Sequence, residues 1–538
     1  MLLYIQINQD KGNNIMELLK NKQKIRNIVV IIIIAIMCGI IFFYQTKKVG
    51  FHEDEGYTLA SSVNPTNGLM VAYDESGNTE GPVWKTREFV KDYVTLAPEN
   101  IFNFWALYHN QAGDNHPPFF YTLVHFSTLF FGGEFSKYSV FIVNIIAFAL
   151  SCLVLRQILK ILDKDHLSIP TLIFYGLSMG AMSMVIFQRM YMLLTFFIIL
   201  YFYYILKLYL NDFKLTKGLV IKLGITTVLG FLTQYFFAIY AFFIAILMVI
   251  QMIRRKKYSD IRNYLCSHLL YAVIGIILFV PCIYHLFFTD RGLKNLGNSG
   301  YLDHLITYVK HLAYAFTIND NMILISIVLV LFFAGIVYLF KKSDKKFVVL
   351  LTVLPSVFYF FIAVKLTSFQ ELRYIMPVIP FVALTFMLIL DKLLQFKYKN
   401  AVIIAIAVIL SINGIIFSKP KFLYEDYAKC LQIAEENSDK SFVYVYDNFF
   451  NHMQSLPEMM IYAKTLIVNV NNNDMQYLIN NDTLNSEDSY ILCIKCYMDN
   501  ESILNEIRNN TDFKNITQIY EGVNSSETIG NNLYLVSK

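Results

Sequence analysis

The sequence predicts an all-α polytopic membrane protein with about 11 transmembrane helices, an outer-leaflet juxtamembrane helix and a small C-terminal α/β extracytoplasmic domain. Of its 538 residues, 56% are hydrophobic and only 16% are charged, whereas about 25% of the residues of soluble proteins are charged. Long apolar runs recur up to residue 418, and a polar, Asn-rich segment follows. The net charge of +5 is too small to indicate nucleic-acid binding. These values exclude a soluble enzyme, a disordered protein and a DNA-binding protein.

The apolar runs place the transmembrane helices, because a helix needs about 20 apolar residues to cross the bilayer. The first run follows the basic residues of the leader 1–26 and lacks a small-residue cleavage site. It therefore predicts an uncleaved signal anchor whose N-terminus is cytoplasmic, with Met16 as an alternative start. The predicted spans are 27–44, 138–160, 167–187, 190–210, 218–234, 236–252, 264–288, 321–340, 346–366, 374–394 and 400–418.

Positive charge predicts the orientation of the spans, because cytoplasmic loops are rich in Lys and Arg. All basic clusters can be cytoplasmic only if the apolar stretch 117–131 does not cross the membrane. This stretch begins with two prolines, is short, and ends at Gly132 and Gly133, so we predict a helix in the outer leaflet. The alternative is a twelfth span, which would place 254–257 outside. The clusters are Arg156/Lys160/Lys164, Lys207/Lys214/Lys217/Lys222, Arg254/Arg255/Lys256/Lys257, Lys341/Lys342/Lys345/Lys346 and Lys392/Lys397/Lys399.

The predicted domains are the leader 1–26, a transmembrane catalytic domain 27–418 that includes the extracytoplasmic loop 45–117, and an extracytoplasmic α/β domain 419–538. In the last domain, short β-rich segments alternate with helical patterns. The expected strands are Ser441–Tyr446, Thr465–Val470, Ser489–Ile494, Asn515–Tyr520 and Asn531–Val536, and the expected helices lie near 423–436, 451–463 and 500–509.

The first outer loop opens with three consecutive carboxylates, Glu53, Asp54 and Glu55. Adjacent carboxylates repel one another, and a low-dielectric boundary raises the pKa of at least one of them. This pattern suits a catalytic base. A hydrated acidic cap on a helix end explains the same residues equally well.

Further polar residues lie at the predicted outer ends of the spans. His116 precedes two prolines that fix the backbone, and Arg189 and Tyr191 lie in a tight turn between two spans. Arg373 opens another span, and Lys365 lies near the end of the span before it. Each cation could anchor to lipid or bind a substrate phosphate. Together, carboxylates, a histidine and three cations on one side of the membrane favour a site.

The order of these motifs resembles the GT-C glycosyltransferases, and most closely glycosyltransferase family 39 and its bacterial relatives, including protein O-mannosyltransferases and lipid A aminoarabinose transferases. The resemblance covers about residues 25–395. The sequence departs from the family in two places: only Lys137 represents the basic residue often found shortly after the Pro-Pro helix, and the C-terminal domain is not part of the resemblance. The matching motifs are Asp54-Glu55, His116-Pro117-Pro118-Phe119-Phe120-Tyr121, Gln188-Arg189-Met190-Tyr191, and Arg373-Tyr374 with Pro377 and Pro380.

The resemblance implies a membrane glycosyltransferase with a polyprenyl-phosphate-linked sugar donor and a catalytic carboxylate, Asp54, with Glu55 as its neighbour. We expect single inverting displacement, because a lipid phosphate leaves without a proton donor, unlike the leaving group of a glycoside. Expected phosphate or sugar contacts are His116, Arg189, Tyr191, Lys365 and Arg373.

The expected partners are the lipid-linked donor, membrane lipids and an acceptor protein, lipid or cell-surface glycan, with no nucleic acid. No metal-ligand motif and no nucleotide cofactor are predicted, although Glu55 could orient a divalent cation, Mg²⁺ or Mn²⁺. The competing interpretation is a transporter or lipid-glycan flippase. Such proteins place ionisable groups near the bilayer midplane and often carry two similar halves, and this sequence shows neither feature. A third interpretation is an anchor subunit that displays the C-terminal domain.

Overall fold

A computed structural model describes residues 2–65, 82–289, 300–367, 369–447, 449–470, 474–523 and 530–538, with the side chains of 2–22, 83 and 449–451 left undescribed. Helices dominate as far as residue 417. They are α1 (Leu2–Thr46), α2 (Glu53–Val63), α3 (Arg87–Tyr93), α4 (Phe104–Gly113), α5 (Phe119–Thr128), α6 (Ser139–Ile161), α7 (Ser168–Gly176), α8 (Met179–Ile186), α9 (Tyr191–Leu210), α10 (Lys217–Thr233), α11 (Phe236–Arg254), α12 (Tyr258–Leu278), α13 (Cys282–Phe287), α14 (Tyr301–Ala315), α15 (Met322–Lys342), α16 (Lys346–Leu366), α17 (Ile379–Leu393) and α18 (Lys399–Phe417). Short 3₁₀ helices span Pro98–Asn100, Leu129–Phe131, Asp165–Leu167 and Leu372–Val378.

The predicted multi-pass membrane bundle is confirmed. Nine helices of the described chain are long and apolar enough to cross a membrane. Each corresponds to one of the runs chosen from the sequence. They are Gln23–Thr46, Ser139–Ile161, Tyr191–Leu210, Phe236–Arg254, Tyr258–Leu278, Met322–Lys342, Lys346–Leu366, Leu372–Leu393 and Lys399–Phe417.

Two predicted spans differ in shape from the expectation. The run 167–187 is not one straight helix, because Asp165–Gly176 and Met179–Ile186 are bent by 62°. Ser178 causes the break: its backbone is extended, and its hydroxyl caps the second helix by accepting from the N–H of Ala181. The run 218–234 corresponds to α10, which has 17 residues.

Two segments beside the bundle are shorter helices. The stretch 117–131 forms α5 and a 3₁₀ turn, too short to be a candidate span, and its position in the outer leaflet remains a prediction. Helix α14 is not predicted by the sequence. Its charged and His residues, among them Asp303 and Lys310, interrupt any apolar run.

The C-terminal α/β domain is confirmed as a mixed six-stranded sheet of order β1-β3-β2-β4-β6-β5. Strand β2 is parallel to β3 and β4, whereas the other pairings are antiparallel. The strands are β1 (Val83–Thr86), β2 (Ser441–Tyr446), β3 (Lys464–Asn469), β4 (Ser489–Lys495), β5 (Asn515–Tyr520) and β6 (Asn531–Ser537). The helices are α19 (Tyr427–Glu436), α20 (Leu456–Met459), α21 (Asp474–Ile479), α22 (Asp482–Asn485) and α23 (Asn500–Asn510), with a 3₁₀ helix at Phe449–Ser455.

The sheet packs directly against the membrane bundle. Its edge strand β1 comes from the first outer loop, not from the C-terminal segment, and pairs with β3. Alternate residues of β2 face opposite sides, as the period of two in a strand requires. Phe442 and Tyr444 join the hydrophobic core that continues through the bundle, whereas Val443 and Val445 join a second core beneath α21 and α23.

The opposite end of the bundle is held by buried charge. The carboxylate of Asp391 is 1% exposed and accepts bonds from Lys164 at 2.7 Å, His166 at 2.9 Å and Lys399 at 2.8 Å. Nearby, Arg26 pairs with Asp165 at 3.0 Å. Lys164, Lys345 and Lys399, which belong to three of the basic clusters predicted to be cytoplasmic, therefore form ion pairs at this end of the bundle.

Candidate active site

The site is built on the first turn of α2, which carries the three acidic residues. His52 is the N-cap: its Nδ1 accepts from the backbone N–H of Asp54 at 3.1 Å, and the carboxylate of Glu55 accepts from the backbone N–H of His52 at 2.7 Å. This reciprocal pair is a capping box. Burial lowers the pKa of His52 to about 3, so the ring is neutral at physiological pH and Nδ1 can accept. The acidic turn also lies at the positive end of the helix dipole.

Glu55 is buried, and its carboxylate connects separate segments of the chain. One carboxylate oxygen pairs with the ammonium of Lys48 at 2.9 Å, and the other accepts from the backbone N–H of Gln188 at 2.7 Å. Lys48 also donates to the carbonyl of Phe422 at 2.6 Å. Burial raises the pKa of Glu55 against the attraction of Lys48. Glu55 therefore joins the start of α2 to the turn after α8 and to the segment that leaves α18.

Asp54 points in a different direction, toward Arg373. Its Oδ2 forms an ion pair with one guanidinium nitrogen of Arg373, and the other nitrogen donates to Glu371 at 3.0 Å. Burial alone would raise the pKa of Asp54, but the charges of Arg373 and Arg189 outweigh it and hold the pKa below its ordinary value. Asp54 is therefore ionised throughout the physiological range.

Arg189 lies against the same turn of α2. One of its terminal nitrogens donates to the carbonyl of Asp54 at 3.2 Å, to the hydroxyl of Thr58 at 2.6 Å and to the hydroxyl of Tyr121 at 3.2 Å. The other lies 3.1 Å from Nε2 of His116. Because a guanidinium only donates, Nε2 of His116 accepts. Its Nδ1 therefore carries the proton that binds Asp114, 2.9 Å away.

Asn144 of α6 holds the backbone of the turn that carries Arg189. The side-chain amide of Asn144 donates to the carbonyl of Phe187 at 2.8 Å and to that of Arg189 at 3.3 Å. These bonds satisfy carbonyls that the gap between α8 and α9 leaves without helical partners. The backbone of the turn is thus set before any ligand arrives.

Aromatic rings pack against the guanidinium of Arg373. Arg373 lies 5.0 Å from the ring centroid of Tyr374 and 5.7 Å from that of Phe187, distances at which a cation is attracted to a ring face. Tyr191 packs edge-on against Tyr374 with centroids 5.8 Å apart. Tyr191 thus lies behind Arg373 as part of its support.

The structure brings together most of the residues chosen from the sequence. Asp54, Glu55, His116, Arg189 and Arg373 form one connected polar cluster, although they come from four distant parts of the chain. Lys365 takes a different position, over the ring of Tyr301 at 5.8 Å. Lys137 donates to the carbonyls of Lys48 and Thr46 and so fastens the turn after α1.

Several members of the cluster had no motif to reveal them. Lys48 pairs with Glu55, seven positions later, and Asp114 binds His116, two positions later, but neither Lys48 nor Asp114 lies in a recognisable motif. Thr58 follows Asp54 by four positions, so the two lie on one face of α2. That helical spacing was the one clue to its role.

The cluster does not fit a divalent cation held by Glu55. Both oxygens of Glu55 are occupied by Lys48 and by backbone N–H groups of His52 and Gln188, and cations of this kind need free oxygen ligands. In the described ranges, no three or more His, Cys, Asp or Glu side chains are arranged to hold a metal ion.

Comparison with known proteins identifies the fold. No family model matches the sequence, and no curated protein has significant sequence similarity to it. The structure is similar to that of ArnT from Cupriavidus metallidurans bound to undecaprenyl phosphate, with a TM-score of 0.54 and 12% identity over 94% of this chain and 97% of that one.

Two other structures are more distant. Apo ArnT from Cupriavidus metallidurans has a TM-score of 0.48 at 12% identity, over 94% of this chain and 97% of that one. The oligosaccharyltransferase of Archaeoglobus fulgidus has a TM-score of 0.46 at 12% identity, over 88% and 70% respectively. The match to undecaprenyl-phosphate-bound ArnT extends through the C-terminal domain. Over nearly its whole length, the chain therefore has the GT-C-type membrane fold that its motifs predicted.

Proposed function

We propose that the protein is an integral membrane glycosyltransferase that moves a sugar from a polyprenyl-phosphate donor to an extracytoplasmic acceptor. The observation that carries the proposal is the convergence of one ionised carboxylate, Asp54, with the guanidinium groups of Arg189 and Arg373. A base beside two phosphate-binding groups is the inventory that this displacement requires. The shared fold supports it, because the ArnT structure holds undecaprenyl phosphate.

The location of charge supports an extracytoplasmic site. The end of the bundle opposite the site gathers Lys164, Lys399 and Arg26, and Lys345 pairs there with Asp163 at 3.2 Å. Cytoplasmic loops carry such an excess of basic residues. The site and the C-terminal domain then lie on the other side of the membrane.

The two arginines are suited to the donor phosphate. Each keeps an Nε–H for which the described residues supply no acceptor, and an unpaired buried donor is costly. A phosphate oxygen would satisfy such groups, since guanidinium and phosphate match in a two-pronged geometry. Small rearrangements of the surrounding side chains would be needed to admit it.

In the proposed reaction, an acceptor hydroxyl oxygen attacks the anomeric carbon of the donor. The bond from that carbon to the phosphate oxygen breaks, and the lipid phosphate leaves with the bonding electron pair. The hydroxyl proton passes to the carboxylate of Asp54, and Arg189 and Arg373 stabilise the charge on the leaving phosphate. Because the displacement is single, the sugar carbon is inverted.

The remaining residues of the cluster are assigned supporting roles. Glu55 positions α2 through its bonds to Lys48 and Gln188, and His116 orients Arg189 with the help of Asp114. Tyr191 supports Arg373 through Tyr374. Lys365 has no role in the proposed reaction.

The proposal is tested by the glycans that depend on the protein. Mass spectrometry of cell-surface glycans and glycoproteins should find a sugar that is lost when the protein is absent. It should return with the wild-type chain and stay missing with Asp54→Asn. Full restoration by Asp54→Asn would remove the base assignment, and an unchanged glycan profile without the protein would contradict the proposed activity.

A further inference from the structure

The C-terminal domain lies against the catalytic turn of α2. Gly56, two residues after Asp54, packs on Met453 so closely that a Cβ at this position would lie 3.0 Å from its Cε. The ring of Tyr57 meets that of His452 edge-on, with centroids 6.2 Å apart. The 3₁₀ helix Phe449–Ser455 therefore forms one wall beside the acidic turn.

A chain of hydrogen bonds crosses this contact. The ammonium of Lys495, at the end of β4, donates to Oε1 of Gln454 at 2.8 Å. The amide nitrogen of Gln454 donates to Oε2 of Glu53 at 3.3 Å. Because an ammonium only donates, Lys495 fixes which end of the Gln454 amide faces the site. The end that faces Glu53 is a donor, which favours an ionised carboxylate.

Lys495 and Gln454 are both buried in the protein. Lys495 is 0% exposed and Gln454 is 2% exposed, and a fully buried lysine is costly unless it has partners. Glu458, itself buried, faces Lys495 from within the domain, and in the described chain neither of its oxygens has a hydrogen-bond partner. Lys495 therefore interacts with two acidic side chains, Glu458 of the domain, whose pKa burial raises to about 8, and Glu53 of the site.

The charges around Glu53 oppose one another. Asp54 and Glu371 disfavour its ionisation, whereas Lys495 and Arg373 favour it. Burial, with the Asp54 charge next in size, raises the pKa of Glu53 to about 7. A single neighbouring charge can therefore decide how much of Glu53 is ionised at neutral pH.

We infer that Lys495 and Gln454 are positioning residues of the transfer site, supplied by the C-terminal domain to favour the ionised form of Glu53 beside Asp54. An ionised Glu53 gives the site a second acceptor for the incoming hydroxyl group, which directs that hydroxyl toward Asp54 and the anomeric carbon. The domain is then a working part of the active site. This inference rests on the proposed function for its effect on rate, but not for the titration of Glu53.

The experiment compares the full-length wild-type protein with Lys495→Met, Lys495→Arg and Lys464→Met. Lys464 pairs with Glu487 at 2.9 Å in the same sheet and provides a matched loss of a lysine away from Glu53. Infrared titration follows the carboxyl band that is absent from Glu53→Gln. Initial rates of sugar transfer are measured over the same range of pH.

Lys495→Met should move the midpoint of the Glu53 band upward by about one pH unit, the lower end of what one nearby opposite charge contributes. The acid limb of the pH–rate profile should shift to higher pH together with the Glu53 midpoint. Lys495→Arg and Lys464→Met should leave both near wild type. An unchanged Glu53 midpoint in folded Lys495→Met overturns the inference, as does a loss of rate with no shift in either profile, which would indicate a merely structural role.

A second variant covers the case in which Lys495→Met fails to fold. Gln454→Leu keeps the ammonium but removes the amide that bonds to Glu53, so the midpoint should again rise, and an unmoved midpoint counts against the inference. If wild-type protein transfers no sugar while the Glu53 band still responds to Lys495, the proposed function fails and the positioning of Glu53 stands.

Discussion

The guanidinium of Arg373 forms an ion pair with the carboxylate of Asp54, 319 positions earlier in the chain. This contact joins the first turn after the first span to the start of a span near the end of the bundle. It also changes what Asp54 can do. Arg373 and Arg189 hold the pKa of Asp54 below its ordinary value, so in the proposed reaction Asp54 is a weak base that is already deprotonated at neutral pH.

Replacing Asp54 by Asn should lower the rate of transfer about 100-fold or more, since general bases contribute at least that much. The amide oxygen can still accept from Arg373, but the neutral amide leaves the buried charges of Arg373 and Arg189 uncompensated, so the thermal midpoint should also fall and the rate is expressed per folded molecule. The measurement is the initial rate together with thermal unfolding in detergent. A rate within a few-fold of wild type would contradict the assignment.

Asp391→Asn is the matched control for that variant. Asp391 is a buried aspartate with three cationic partners at the other end of the bundle. Because these partners are partly exposed, we expect a loss of about 1–3 kcal/mol of stability. Transfer per folded molecule should stay at the wild-type level. Unchanged stability would mean that the Asp391 cluster does not hold the bundle together.

Arg189→Lys should lower kcat/KM for the lipid-linked donor about 10- to 100-fold. Lysine keeps the charge but loses the planar fork that reaches Thr58, Tyr121 and His116 together, and each bond to a charged group is worth about 1.5–3 kcal/mol. Donor titrations with wild-type and variant protein measure the change. Arg156→Lys, at the other end of the bundle, should leave donor use unaltered, and equal losses in the two variants would point to a general effect on folding.

Glu53 should make stability depend on pH. Its pKa is raised from 4.5 to about 7 by burial and by the Asp54 charge, so between these values the folded protein binds more protons than the unfolded chain. Stability therefore falls as pH rises from about 4.5 to about 7. Glu53→Gln removes this contribution. Its thermal midpoint relative to wild type should rise across that window, and a difference that stays flat with pH would contradict the assignment.

Gly50→Ala should loosen the C-terminal domain. A Cβ at Gly50 would lie 2.9 Å from Cβ of Tyr424 and 3.0 Å from Cγ of Tyr427, atoms that cannot swing aside as the end of a long side chain can. Overpacking of this kind costs about 1–3 kcal/mol, which limited proteolysis and thermal unfolding should detect. Gly39→Ala is the control, because nothing lies within 4 Å of its Cβ.

The membrane helices and most strands could be predicted because their causes are local. Apolar length decides a span, and alternation of β-branched and aromatic residues decides a strand, so Ser441–Tyr446 and Asn515–Tyr520 agree with the expectation residue by residue. The bend at Ser178 was missed because a single capping serine is invisible inside an apolar run.

The site was predictable only where a motif marked it. Asp54, His116, Arg189 and Arg373 lie in short patterns, and the structure joins them. Lys48, Gln454 and Lys495 act through contacts between distant segments, for which spacing in the sequence carries no information. The ionisation of Asp54 depends on such a contact too, since only folding places Arg373 beside it.

The most direct test uses purified protein in liposomes with a polyprenyl-phosphate sugar and an extract of acceptors. We expect wild-type protein to release polyprenyl phosphate as the sugar appears on an acceptor with inverted configuration, and Asp54→Asn to release it at least about 100-fold more slowly. Movement of the intact lipid-linked sugar between leaflets without release of polyprenyl phosphate, or equal release by Asp54→Asn, would contradict it.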